Sequence, residues 1–146
     1  MTPAVPTSGV SAEATRKSVT VDGHDLAFHD VGEGPPVLFL HGSGPGVTGW
    51  ANFGDNLASL QGIRAIVIDQ VGFGASGRPD VYERNYLDIS ATAVLGLMDS
   101  LGLEPAGIVG NSMGGDVAVR LTIDNPRGWM TNRLHSRPRM LPLSVF

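Results

Sequence analysis

Apolar residues in this chain fall into short runs separated by glycine-rich turns, and the period of the runs changes along the chain. Arg16–Val21 and residues 25–31 alternate or cluster apolar positions around Asp22-Gly23. An Asp-Gly between two such runs predicts a β-hairpin. Val37-Leu38-Phe39-Leu40 is wholly apolar and bounded by Pro35-Pro36 and His41-Gly42, which fits a strand buried on both faces of a parallel sheet. Trp50, Phe53, Leu57 and Leu60 recur at spacings of three and four, one face of an amphipathic helix. Residues 63–68 form a second buried strand ending at Asp69. Leu87, Ala91, Val94, Met98 and Leu101 mark another helix, closed by Gly102 just past its end. A strand over 106–109 and a helix over 116–125 follow, and Pro126 stops the helix.

Two early strands followed by strand–helix alternation predict an α/β fold with a mostly parallel sheet and helices on both faces. The turns at the carboxyl ends of the strands then form the site. The chain divides into a flexible tail over 1–15, a core over 16–126 and an aberrant basic tail over 127–146. The length, 146 residues, suits one domain with a real core. The first fifteen residues lack a basic start and an apolar stretch, so they are not a signal peptide, and a cytoplasmic location is expected. No apolar run is long enough for a membrane span. With no cysteine, disulfide scaffolds and cysteine-based metal sites are excluded; no metal site is expected.

Charge is unevenly placed. All 14 acidic residues lie before residue 126, whereas Arg127, Arg133, Arg137 and Arg139 follow it without an acid. Four arginines without lysines or interleaved aromatics make a poor nucleic-acid segment, so no nucleic-acid partner is expected.

Three segments carry chemistry. Gly110-Asn111-Ser112-Met113-Gly114-Gly115 sits between a predicted strand and a predicted helix. That is the context of a nucleophile elbow, with Ser112 on a strained turn between obligatorily small residues. The plain alternative for Ser112 is a helix N-cap. His41-Gly42-Ser43-Gly44-Pro45-Gly46 follows a buried strand. Acyl transfer builds an oxyanion that preorganised N–H donors must meet. In this architecture the donors are the amides of Met113 and Ser43, and Gly42 and Gly44 let the backbone approach the reacting carbonyl. His41 holds that loop by hydrogen bonding, and His24 and His29 read as structural or exposed. The third segment, residues 69–77, contains a formal Gly-x-Gly-x-x-Gly at Gly72, Gly74 and Gly77. Arg78-Pro79-Asp80 follows it, rather than an immediate helix, so it reads as a turn with Asp69 pinning backbone amides and not as a dinucleotide site.

At these segments the chain resembles the α/β-hydrolase family and, within it, the meta-cleavage-product hydrolases, which break carbon–carbon bonds in aromatic degradation. The pattern His-Gly-x-Gly-Pro-Gly is matched at 41–46, Trp-x-Asn-aromatic at Trp50-Ala51-Asn52-Phe53, and Gly-Asn-Ser-Met-Gly-Gly at 110–115. The resemblance covers residues 16–126. It implies a small-molecule substrate, a 2-hydroxy-6-oxo-hexa-2,4-dienoate attacked by Ser112, with Asn52 and Asn111 on the dienoate end and no cofactor. The full-length family form also admits a homo-oligomer. The alternatives are a general carboxylesterase or lactonase of the same fold, and a non-catalytic remnant or interaction module.

In the resembled family the triad acid and histidine follow the serine. Here the only later histidine is His135, and no acid follows Asp124. The chain therefore reads as the N-terminal half of the fold, without cap or C-terminal strands, disrupted by a frameshift or premature end. No more than a small residual rate is expected of this chain alone, and strand 106–109 is expected to have an unpaired edge.

Overall fold

The computed structural model describes residues 10–103 and 105–125, together with the backbone of Ser144–Val145. Strands β1 (Arg16–Val21), β2 (His24–Gly32), β3 (Pro36–Leu40), β4 (Arg64–Ile68), β5 (Gly107–Gly110) and β6 (Ser144–Val145) form one sheet in the order β1-β2-β4-β3-β5-β6. The first two strands run antiparallel to each other and β2 to β4, whereas β4, β3, β5 and β6 are mutually parallel. The hairpin turn is the predicted one. Val21 pairs with His24, and Asp22 and Gly23 both take positive φ, 48° and 75°, as a two-residue hairpin loop demands.

The apolar runs of β3 and β4 divide by parity, because successive side chains leave opposite faces of a strand. Leu38, Leu40, Ile66 and Ile68 join the core beneath α3 (Tyr86–Leu101) and α4 (Met113–Asp124). Val37, Phe39, Ala65 and Val67 pack on the other face with Phe53 and Leu57 of α2 (Gly49–Leu57). Helices thus cover both faces. Gly102 closes α3 in the left-handed conformation, φ 63°, as its position predicts.

Four details differ from the sequence reading. Helix α2 ends at Leu57, so Leu60 lies beyond it and is 38% exposed; the spacing persists although the helix does not. Helix α4 begins at Met113, three residues early, because the elbow delivers the chain directly into it. Within the expected N-terminal tail, Ser11 caps a one-turn helix, α1 (Ala12–Thr15), and the Thr15 hydroxyl meets Nδ1 of His29 at 3.0 Å; residues 1–9 lie outside the described residues. Finally, the edge of β5 is not bare: Ser144 and Val145 pair with Val109 and Gly110. The rest of the basic tail lies outside the described residues.

Candidate active site

Strand β5 ends at Gly110 and α4 starts at Met113, leaving Asn111 and Ser112 to make the reversal. Ser112 adopts φ 51° and ψ −114°, a conformation costing a residue with a side chain about 1–3 kcal/mol. Its neighbours explain how the strain is held. A Cβ on Gly110 would lie 2.5 Å from the Gly114 carbonyl oxygen. One on Gly114 would run into the Leu40 carbonyl and stand 2.7 Å from that of His41. Only glycine lets α4 start this close to the end of β3. Although Ser112 occupies the N-cap position, its side chain makes no capping hydrogen bond and is exposed. The strained backbone presents the hydroxyl outward instead of tying it to the helix.

The loop after β3 lies against this elbow. A Cβ on Gly42 would sit 3.5 Å from Cβ of Ser112 and 3.4 Å from the Asn111 carbonyl oxygen. Asn52, on α2, joins them: its Oδ1 accepts the Gly42 N–H at 3.2 Å and Asn111 Nδ2 at 2.9 Å. The structure therefore brings Gly42, Asn52, Asn111 and Ser112 together. The amides of Ser43 and Met113 donate to no partner among the described residues, which leaves both for a ligand oxygen. Gly44 is exposed, with open space where a Cβ would be.

His41 has the structural role its position suggests. It is fully buried, and Nε2 accepts the Gln70 N–H at 3.0 Å. Nδ1 must then carry the proton, which it donates to the Gly42 carbonyl at 2.7 Å. The Gln70 side chain donates to the His41 carbonyl at 2.6 Å and accepts from the Ser90 hydroxyl at 2.9 Å. Burial pushes the His41 pKa below that of a free histidine, against the smaller opposing effects of the Gly42 carbonyl and Asp69. With both nitrogens engaged, this ring cannot serve Ser112 as a base. His29 is also buried, its ring centroid 4.9 Å from that of Trp50, and burial lowers its pKa as well. His24 opens β2 and is half-buried. His135 lies outside the described residues.

Asp69 pins amides as expected. Its carboxylate accepts from Gly49 N at 2.8 Å and Ala75 N at 3.0 Å. The glycine segment closes on itself, Gly72 N donating to the Gly77 carbonyl at 2.9 Å, and the next helix starts only at Tyr86. That is not a phosphate-binding loop opening a helix. Sequence reasoning missed the Gln70–Ser90 link and the Asn52–Asn111 pair. A glutamine directly after an apolar strand and its terminal aspartate was the one available signal for the former. Among the described residues no cluster of three or more His, Asp or Glu could hold a metal, and no helix is long and apolar enough to cross a membrane.

Comparison with known proteins finds relatives of one kind. The 2-hydroxy-6-oxononadienedioate/2-hydroxy-6-oxononatrienedioate hydrolase 2 of Pseudomonas putida is 48% identical over 105 residues, covering 70% of this chain and 36% of that protein. The 2-hydroxy-6-oxo-6-phenylhexa-2,4-dienoate hydrolase of Comamonas testosteroni is 40% identical over 119 residues, 77% of this chain and 41% of that one. A solved meta-cleavage product hydrolase from Pseudomonas fluorescens IP01 superposes with a TM-score of 0.71 at 38% identity, over 79% of this chain and 42% of its own. The chain thus spans about two-fifths of the length of such relatives. The profile of the α/β hydrolase fold matches residues 35–128, a stretch that contains the loop after β3, the Asp69 turn and the elbow, and the chain belongs to that family.

Proposed function

We propose that Ser112, with the amides of Ser43 and Met113, forms the nucleophile and oxyanion site of a serine hydrolase. It cleaves a carbon–carbon bond in 2-hydroxy-6-oxo-hexa-2,4-dienoates. The observation that carries this reading is the strained, uncapped Ser112 hydroxyl held beside Gly42 and the Asn52–Asn111 pair. Relatives named for such substrates support the choice of substrate class.

In this reading the dienol is first converted to its keto form, so that the carbon next to the 6-oxo group can leave as a stabilised carbanion. Ser112 attacks the 6-oxo carbonyl, and the two amides receive the oxyanion. The carbon–carbon bond breaks, the leaving carbon takes a proton, and an acyl-serine remains. Water then releases a carboxylic acid. Asn52 Oδ1 is already engaged, so Asn52 Nδ2 and Asn111 Oδ1 are the groups offered to the dienoate end. The base that takes the Ser112 proton, and the acid that orients it, come from outside the described residues. No cofactor enters this scheme; a cytoplasmic site of action and a homo-oligomeric full-length form are part of the same reading.

The test compares the chain and its Ser112→Ala variant on a 6-phenyl dienoate, a dioate and a nitrophenyl ester. Dienoate hydrolysis is expected to fall in Ser112→Ala to the roughly 10³–10⁴-fold over water that an oxyanion site and binding retain without the nucleophile. A rate indifferent to the substitution overturns the proposal. Turnover of the ester alone selects the esterase alternative.

A further inference from the structure

A cleft of about 290 Å³ lies between residues 44–48, which continue the loop after β3, and residues 72–74, which follow β4; Arg78 also lines it. Among the described residues, Arg78 is its sole charged lining residue. Arg64, Arg84 and Arg120 each meet an aspartate. Arg78, by contrast, is exposed and has neither ion pair nor hydrogen bond among the described residues. The amides of Gly46 and Gly74, on opposite walls, donate to no partner among the described residues. At Gly46 the space a Cβ would enter is open. Phe73 adds an apolar wall.

We propose that this cleft is a carboxylate subsite with Arg78 as its cation. A guanidinium presents a planar, two-pronged set of donors that matches a carboxylate, and unpaired amides on both walls complete an anion-accepting surface. The cleft is small for a whole ligand but large enough for an acidic end group. It adjoins the reaction site. Gly44, on its wall, is the residue next to Ser43, about 3.8 Å away along the chain. A carboxylate a few bonds from a carbonyl held at the Ser43 amide therefore reaches it. This assignment rests on the hydrolase reading above. It applies either to the carboxylate of the dienoate end or to a second carboxylate on the acyl side, as a dioate carries.

The test is an amide-resolved NMR titration of the chain with succinate, which mimics a dioate's acyl side, and with hexa-2,4-dienoate, which mimics the other end. The same titrations are run on Arg78→Gln and Arg78→Lys. The expected result is saturable movement of the Gly46 and Gly74 amides with one of the acids. Binding should weaken at least about tenfold in Arg78→Gln and be partly restored in Arg78→Lys. Whichever acid binds identifies the end of the substrate. Equal binding by wild type and Arg78→Gln, or no movement of these amides with either acid, overturns the assignment. The readout is binding and not turnover, so it can fail while Ser112-dependent hydrolysis stands, and the reverse.

Discussion

Two glycine-rich loops follow adjacent parallel strands, and they differ in what their backbone N–H groups do. After β4, Asp69 takes the amides of Gly49 and Ala75, Gly72 bonds Gly77, and the Ser76 hydroxyl donates to the Asp69 carbonyl at 2.5 Å while accepting from Ala27 N at 2.9 Å. After β3, the Ser43 amide has no partner among the described residues, and Gly44 and Gly46 face open space. The glycine spacing of the two segments is similar, yet the loop after β4 is cross-tied through Asp69 as a clasp, while the loop after β3 leaves the Ser43 amide unpartnered among the described residues. In the proposed reaction, the capacity to meet an oxyanion rests on the unspent donors and not on the glycines themselves.

Removing the clasp is the strongest way to break this contrast. Asp69→Ala strands two amides, one of them in a buried hydrogen bond. Urea denaturation is expected to show a loss of about 3–5 kcal/mol, against a small loss for Gly44→Ala. If Asp69→Ala unfolds at the wild-type midpoint, the clasp does not organise the fold.

A finer comparison substitutes one glycine in each loop. Both Gly44 and Gly74 have positive φ, 147° and 53°, so alanine strains either by about 1 kcal/mol. At Gly74 the new methyl also runs into the Asp69 carboxylate, whereas at Gly44 it meets nothing within 4 Å. Gly74→Ala is therefore expected to cost about 1–2 kcal/mol more than Gly44→Ala, read as a larger drop in melting temperature. Equal drops would mean that strain alone governs both loops.

The smallest effect sharpens the link between the loops, which is His41. It ties Gly42 of the first loop to Gln70 of the second. Its pKa is lowered by burial from the ordinary 6.5, so the folded chain binds fewer protons than the unfolded one. This contribution is complete above about pH 6.5 and is lost as the pH falls below it. His29, lowered in the same direction, adds to the slope. A melting temperature that declines from pH 7.5 to 5.5, less steeply in His41→Gln, is expected. A flat profile would contradict the buried neutral imidazole.

Much of this was legible beforehand. The hairpin at Asp22-Gly23, the apolar runs of β3 and β4 and the glycines flanking Ser112 are local features whose pattern dictates conformation. Leu60 shows where local pattern misleads: apolar spacing does not record that α2 stops at Leu57. The pairing of Asn52 with Asn111, 59 residues apart, and of Ser144 with Val109 had no local trace. Each polar group involved could equally have been solvated.

The sequence by itself determined the alternation that builds the sheet, the strained serine between two glycines, and the family resemblance those residues carry. Tertiary structure alone decided which donors remain free. An amide's availability depends on the acceptor that distant chain brings to it, so His41 became a locked strut and Asp69 a clasp, while the amides of Ser43 and Met113 stay unpartnered among the described residues.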